Sequence, residues 1–93
     1  MEITYEFLKV VGTTLKERRM RKCYTVLQLS EISGVTASYI SQIENYKREN
    51  VSLSKLLEIA VALELRPSEL FSPLDELPPF SSIKEEEPEY VRY

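Results

Sequence analysis

The residues best able to bind a charged partner are two groups of basic side chains. Residues 16–22 contain five lysines and arginines and one glutamate, a local charge of +4, and Lys47 and Arg48 form a smaller group. Clustered cations of this kind either remain solvated or bind anions. Polar side chains within residues 36–42, those of Thr36, Ser38, Ser41 and Gln42, add hydrogen-bond donors and acceptors. The pattern therefore favours binding chemistry.

Catalytic chemistry has few candidate residues in this sequence. The chain has no histidine and a single cysteine, Cys23. This composition excludes the Ser/His/Asp and Cys/His arrangements of covalent catalysis, and it excludes most zinc sites. The carboxylates have no placed partner. We therefore expect that the protein is not an enzyme and that it uses no cofactor or metal.

Length and cysteine usage restrict the class of protein further. The 93 residues are enough for one small domain. Secreted chains of this size usually carry several disulfides, so the lone cysteine favours the reducing cytoplasm. No apolar run approaches the roughly 18 to 20 residues of a membrane span, and the start of the chain does not have the pattern of an export signal. We expect a cytoplasmic protein that does not contact a membrane.

Charge divides the chain near residue 71. Residues 1–71 have a net charge of +1 and residues 72–93 a net charge of −4, so the tail supplies all of the overall charge of −3. Four of the five prolines also lie in that tail. The predicted organisation is an N-terminal extension at 1–10, a compact domain at 11–71 and an acidic, proline-rich tail at 72–93.

The tail carries more apolar residues than a solvated spacer needs. We expect residues 73–83 to pack on the domain or on a second subunit, and residues 84–93 to form a flexible acidic arm. The tail is accordingly a candidate dimerisation or partner segment.

Helical periodicity runs through the predicted domain, and capping residues mark where its helices begin. Thr25 and Gln28 have the spacing of a capping box. Gly34 can adopt the left-handed conformation that ends this helix and starts a tight turn. The other expected starts are Thr36 and Ser52 as caps, and Pro67 at a first helical position.

Apolar residues indicate which face of each predicted helix is buried. The first helix is marked by Val11, Leu15 and Met20, with the basic cluster on its exposed side. The helix after Ser52 carries a stripe with the three-four spacing of a buried face, formed by Leu53, Leu56, Leu57, Ala60 and Leu63. No segment alternates as a strand would. The predicted fold class is all-α, with five short helices.

The segment Val26–Glu44 resembles the helix-turn-helix of the Cro/cI-type family, also called the XRE family. Small Ser30, the turn residue Gly34 and apolar Ile40 and Ile43 occupy the motif's expected places. The flanking matches are Val11, Gly12, Leu15 and Arg19 in the first helix, and Leu56–Leu63 with Ser68–Phe71 in the last two. The resemblance implies a five-helix Cro/cI repressor-like domain that binds double-stranded DNA.

The resemblance also implies which residues would read bases. Ala37, Ser38 and Gln42 occupy the family's principal base-contacting positions, with Tyr39 and Ser41 close by. Gln42 is the strongest candidate, because a glutamine amide can make a bidentate contact with adenine. The alternative for Ser41 and Gln42 is a solvated helix face.

Phosphate contacts are expected on both sides of that helix. Thr25 and the amides that open the second helix could hold one phosphate. Asn45, Tyr46, Lys47 and Arg48 in the following loop could hold another, and Lys47 and Arg48 are the clearest donors.

One arginine of the basic cluster is expected to be structural. Arg19 aligns with the family position that makes a buried ion pair with the glutamate that is Glu44 here. The other cations of the cluster are either a solvated face or contacts to the DNA backbone. They are Lys16, Arg18, Arg21 and Lys22.

The sequence departs from the family pattern at several positions. Val26 stands where a phosphate-contacting glutamine is usual, Tyr46 replaces a common glycine and Val51 a common proline. The loop 45–50 is closest in length to that of Sin-type bacterial regulators.

Two apolar residues, Leu27 and Ile32, fall where relatives often have polar ones. They either pack under residues 2–10 or form a partner surface, and we favour the first.

Two classes of function fit these observations. The leading hypothesis is a sequence-specific transcriptional regulator, similar to small bacterial or phage repressors, that binds an inverted repeat as a homodimer. A regulatory protein could act on it through the C-terminal tail. The alternative is a protein-interaction module such as an antitoxin or an antirepressor-like adaptor, which the acidic overall charge and the exposed apolar residues favour.

Overall fold

The computed structural model describes residues 3–84, and every regular element in this range is helical. The α-helices are α1 (Ile3–Arg21), α2 (Val26–Ser33), α3 (Ala37–Glu44), α4 (Leu53–Ala62) and α5 (Pro67–Phe71). Two short 3₁₀ helices follow at Ser72–Glu76 and Phe80–Ser82. The predicted all-α, five-helix fold is confirmed. None of the described helices is long and apolar enough to cross a membrane.

Side-chain caps begin three of the helices at the predicted residues. The Thr25 hydroxyl accepts a hydrogen bond from the Gln28 amide at 3.0 Å, and the Gln28 side chain accepts one from the Thr25 amide at 2.8 Å. Thr36 and Ser52 accept hydrogen bonds from the amides three residues further on, at 3.2 and 3.3 Å. Gly34 ends α2 with φ at 77°, in the left-handed region that glycine tolerates. These local predictions are confirmed.

The first helix begins earlier than the sequence analysis predicts. Residues 3–10, which the prediction assigns to an extension, are continuous with the rest of α1. The reason is a shared face: Phe7 lies one and two helical turns before Val11 and Leu15, which are both buried. Met20, expected to mark the same face, is instead 60% exposed.

Helix α1 crosses the end of α3 at short range, and a glycine makes this possible. A Cβ at Gly12 would collide with the carbonyl oxygen of Ile43 and lie 3.3 Å from the ring of Tyr46. Both helices contribute side chains to the core. The buried apolar residues are Val11, Leu15, Leu29, Val35, Tyr39, Ile40, Ile43, Leu56, Ile59, Ala60, Leu63, Leu65 and Leu70.

The predicted buried stripe of α4 is partly wrong. Leu53 is 59% exposed and Leu57 is only half-buried, whereas Ile59, absent from the predicted stripe, is buried. The core side of α4 passes through Leu56, Ile59, Ala60 and the capping Leu63. Apolar residues on the remaining side of the helix therefore face solvent.

Residues after α5 continue to pack on the domain. Leu74 lies against the core, and the ring centroids of Phe80 and Phe7 are 5.4 Å apart. Ile83 is exposed. Part of the predicted contact between residues 73–83 and the domain is thus present. The predicted acidic arm lies outside the described residues except for Lys84.

Candidate nucleic-acid interface

Helix α3 has one apolar face and one polar face. Ile40 and Ile43 are almost completely buried against the core. On the other side, the Ser38 side chain is exposed, and Ser41 and Gln42 are partly exposed. Ala37, at the first position of α3, is also partly exposed. Four of the five predicted base-contacting residues are therefore accessible.

The amide of Gln42 is held by two hydrogen bonds. Its Nε2 donates to the Ser38 hydroxyl at 3.1 Å, one helical turn earlier. Its Oε1 accepts from Nη1 of Arg48 at 3.0 Å. Arg48 in turn donates from Nε to the carbonyl of Asn50 at 3.2 Å. The candidate base-reading side chain thus belongs to a connected polar network.

Tyr39, predicted to lie near the bases, occupies a different position from its neighbours. It is only 8% exposed, and its hydroxyl accepts a hydrogen bond from the Ser52 amide at 2.8 Å. The guanidinium of Arg48 lies 4.2 Å from the ring centroid, and the Lys55 ammonium lies 5.0 Å from it. Both distances are within the range of cation–π attraction. The Tyr39 ring therefore packs against the cations beside α3, and its side chain is not exposed on the polar face of the helix.

Lys55 is a further cation beside α3, outside the two basic groups of the sequence. It lies in the first turn of α4, exposed, beside the ring of Tyr39. Its position three residues after the predicted cap Ser52 placed it at the start of a helix. Nothing in the sequence indicated that this helix start would lie next to α3.

The other predicted phosphate contacts lie in the loop that follows the C-terminal end of α3. Asn45 and Lys47 are exposed, and Asn45 donates to the Ser41 carbonyl at 2.8 Å. Tyr46 has φ at 60°, which explains why a glycine suits this position in the family. Its hydroxyl shares a hydrogen bond of 2.7 Å with Thr13 of α1. The tyrosine thereby fastens the loop to α1.

Thr25 lies at the start of α2, with an exposed side chain. Its oxygen accepts the capping hydrogen bond from Gln28. A hydroxyl group has one donor in addition to its acceptor sites, so the Thr25 proton is free for a further bond. The cap and a phosphate contact are therefore compatible.

The expected ion pair between Arg19 and Glu44 is present. Nε and Nη2 of Arg19 donate to the two carboxylate oxygens at 2.7 and 2.9 Å, and Nη1 donates to the Tyr24 carbonyl at 2.7 Å. Glu44 is only 4% exposed. The hydrogen bond to Glu44 raises the pKa of Arg19 above its usual value, against the opposing effect of burial. The pair joins α1 to the end of α3.

Two other cations of the basic cluster are paired within the chain. Arg18 forms an ion pair with Glu69 and donates to the Glu64 carbonyl at 3.1 Å. Lys22 contacts the Glu64 carboxylate at 2.6 Å and holds the pKa of that carboxyl below its usual value. The sequence pattern predicts either a solvated face or contacts to the DNA backbone here. For Arg18 and Lys22 the solvated face is wrong, because Glu69 in α5 and Glu64 beyond the end of α4 pair with them beside α1. Their contact with the DNA backbone stays a prediction.

Leu27 and Ile32 are not covered by the start of the chain, so the favoured prediction for them is wrong. They are 62% and 52% exposed. Ile32 lines an open groove between α2 and α4, together with Leu53, Leu57 and Val61. The three α4 residues are spaced one helical turn apart and form a single stripe. We call these four residues the α2–α4 apolar groove.

The fold and this polar helix face define a class of protein. A helix-turn-helix whose second helix exposes small polar side chains and is flanked by cations is the arrangement of a DNA-binding domain with the Cro/cI-like fold. The family model described as helix-turn-helix matches residues 15–70, more than half of the chain. The chain belongs to this family, the XRE-type helix-turn-helix proteins.

Named relatives and a solved structure agree with this assignment. The chain is 37% identical over 62 residues to the HTH-type transcriptional regulator SlrR of Bacillus subtilis (strain 168), covering 67% of this chain and 41% of SlrR. It is 31% identical over 67 residues to the regulator SinR of Bacillus licheniformis, covering 72% of this chain and 60% of SinR. The chain thus spans less than two thirds of the length of either regulator.

The structural comparison gives the same fold. The restriction-modification controller protein C.AhdI from Aeromonas hydrophila is similar, with a TM-score of 0.64 and 39% identity. The similarity covers 69% of this chain and 96% of that structure. The named relatives are transcriptional regulators, and the solved structure is that of a controller protein.

Proposed function

We propose that this protein is a sequence-specific transcriptional repressor that binds an inverted-repeat operator as a homodimer. Helix α3 enters the major groove, and repression follows because the bound dimer covers promoter DNA. The protein acts in the cytoplasm, where it reaches the DNA, without catalysis, cofactor or membrane contact. Control by another protein through the tail is part of the proposal.

The observation that carries this proposal is the polar edge of α3. Ser38 and Gln42 are bonded to each other on the accessible side of the helix, opposite the buried Ile40 and Ile43. Side chains of this length on an exposed helix can reach base edges in the major groove. We assign base contacts to Ala37, Ser38, Ser41 and Gln42, and give Tyr39 a supporting role beneath them.

Phosphate contacts on both sides of α3 supply the sequence-independent part of the affinity. Thr25 lies at the start of α2, and Asn45, Lys47 and Arg48 follow the end of α3. Counterion release by such cations makes binding depend on salt. Tyr46 contributes by fixing the loop to α1, since its hydroxyl is bonded to Thr13.

The α2–α4 apolar groove supports the dimer. Three of its four residues lie on α4. The amide of Ser52, the residue that caps α4, donates a hydrogen bond to the Tyr39 hydroxyl on α3. A second copy that covers the same surface would bury Ile32, Leu53 and Val61, each more than half exposed in one chain. Because α4 is tied to α3, pairing through this face fixes the spacing of the two recognition helices.

Footprinting on the DNA upstream of the protein's own gene tests the proposed function. The protected region should be two-fold symmetric, with half-site centres about 34 to 36 Å apart. Transcription in vitro from the same template should fall as protein is added. A protected region without two-fold symmetry contradicts the dimer, and unchanged or increased transcription contradicts repression.

The second candidate function is a protein-interaction module. The exposed α2–α4 apolar groove and Val26, in place of a phosphate-contacting glutamine, favour it. A mobility-shift assay on genomic fragments over a range of salt concentrations separates the two. The regulator selects its own promoter with a steep salt dependence, whereas the adaptor binds all fragments weakly or none.

A further inference from the structure

Arg48 has more contacts within the protein than a simple phosphate-binding residue needs. Its guanidinium lies 4.2 Å from the ring centroid of Tyr39, and Nε is bonded to the Asn50 carbonyl. Tyr39 is itself anchored by the Ser52 amide and is nearly buried. The position of the guanidinium is therefore set by the core of the domain and by the loop.

From this position Arg48 controls which way the Gln42 amide faces. A guanidinium group has donors and no acceptor, so the atom of Gln42 that meets it must be the oxygen, Oε1. The observed bond from Nη1 to Oε1 is 3.0 Å long. The Ser38 hydroxyl can donate or accept, so it can form a hydrogen bond with either Nε2 or Oε1 of Gln42. Arg48 is thus the partner that distinguishes the two ends of the amide.

The held amide still has the groups needed to read a base. A carbonyl oxygen has two lone pairs and an amide nitrogen has two hydrogens, and the network uses one of each. One acceptor and one donor remain, side by side. This pair matches the N6 donor and N7 acceptor that adenine presents in the major groove. Turning the amide over would reverse the order of donor and acceptor.

We propose that Arg48 is a specificity-determining positioning residue, which fixes the Gln42 amide in the orientation that reads adenine. This inference rests on the proposed function and deepens it, because it assigns to one loop arginine an effect on base preference. An arginine that only contacts phosphate would change the affinity for all sequences equally.

The test compares Arg48→Met with Lys47→Met in the full chain. Each variant removes one cation from the same loop, and Lys47, unlike Arg48, is an exposed side chain. Binding is measured on the selected operator, on operators changed at each single base pair and on random DNA. Arg48→Met should lower the preference for adenine at one step of each half-site by roughly ten-fold. Lys47→Met should weaken all of these duplexes by a similar factor.

A double variant makes the test specific to Gln42. With Gln42→Ala already present, adding Arg48→Met should reduce affinity for every duplex alike and leave base preference unchanged. The same drop in preference with and without Gln42 would overturn the inference, as would equal effects of Arg48→Met and Lys47→Met on preference. Thermal unfolding of each variant verifies that the fold is retained.

The outcomes separate this inference from the proposed function. If the wild-type protein prefers no sequence over random DNA, both are wrong. If it selects an operator and Arg48→Met keeps the full preference at every step, only the role of Arg48 is wrong.

Discussion

Arg19 on α1 holds Glu44 at the end of α3 through two parallel hydrogen bonds, 2.7 and 2.9 Å long. The carboxylate is almost completely buried, and the third guanidinium nitrogen is bonded to the Tyr24 carbonyl. The pair fixes the recognition helix against the first helix of the domain. The position of α3 therefore depends on a buried charge pair whose two members are not among the proposed DNA contacts.

Removing one member of this pair should destabilise the protein strongly. Arg19→Met leaves the Glu44 carboxylate buried without its partner, at an expected cost of about 3 to 5 kcal/mol in the free energy of unfolding. Urea unfolding measures this cost. Replacing both residues, Arg19→Met with Glu44→Leu, should cost less than Arg19→Met alone. A double variant that is less stable than the single variant would contradict the explanation.

The exposed pair between Lys22 and Glu64 is a matched control. Lys22→Met also removes one partner of an ion pair on α1, but the carboxylate left behind is 78% exposed and remains hydrated. Its effect on stability should be much smaller than that of Arg19→Met. Comparable losses would mean that burial of the carboxylate does not determine the cost.

The two glycines should respond to alanine for different reasons. Gly12→Ala places a Cβ against the Ile43 carbonyl, so α1 and α3 must separate, at an expected cost of about 1 to 3 kcal/mol. A Cβ at Gly34 meets no atom within 4 Å. Gly34→Ala should still lower the free energy of unfolding by about 1 to 2 kcal/mol, because alanine must then adopt a positive φ. Thermal unfolding gives both losses. Only Gly12→Ala should also shift the NMR resonances at the α1–α3 contact, and unchanged resonances there would contradict the close approach.

Lys47, exposed in the loop after α3, should contribute to the affinity for DNA and not to the preference for a sequence. Lys47→Ala should weaken binding to all sequences by a similar factor and reduce the slope of log affinity against log salt by about one unit. Titrations of operator and random DNA at several salt concentrations measure this. A loss confined to the operator, with an unchanged slope, would show that Lys47 contacts a base.

Self-association should depend on the α2–α4 apolar groove and not on the described part of the tail. Val61→Glu introduces a charge at a residue that is 77% exposed in one chain, so folding should be unaffected while the dimer is weakened. Ile83→Glu is the control, since Ile83 is 66% exposed and lies outside the groove. Sedimentation should detect dissociation only for Val61→Glu. Dissociation caused by Ile83→Glu alone would assign the interface to the tail.

The local features of this fold could be predicted from the sequence, because each depends on residues a few positions apart. The start of α2 is specified by Thr25 and Gln28, and its end by the left-handed Gly34, nine positions after Thr25. The partners of Arg18, Lys22 and Tyr39 could not be predicted in the same way. The partners of Lys22 and Arg18 are 42 or more residues away, in α5 or just beyond the end of α4. Tyr39 meets Ser52 only after α4 has packed.

Apolar residues on α4 posed a different difficulty. Leu53 and Leu57 have the spacing of a buried stripe, yet they lie on the open side of the helix. A hydrophobic side chain has the same sequence pattern whether it faces the core or a second molecule. The ion pair between Arg19 and Glu44 was anticipated through family resemblance, since neither periodicity nor spacing relates two residues on different helices.

Selection of bound duplexes from a random pool tests the central claim most directly, when wild-type protein and Gln42→Ala are compared. The wild-type protein should enrich a two-fold-symmetric motif with half-site centres about 10 base pairs apart and a fixed adenine in each half-site. Gln42→Ala should enrich the same motif with that adenine no longer preferred. Enrichment of no motif by the wild-type protein, or of an identical motif by both proteins, would contradict readout of DNA through α3.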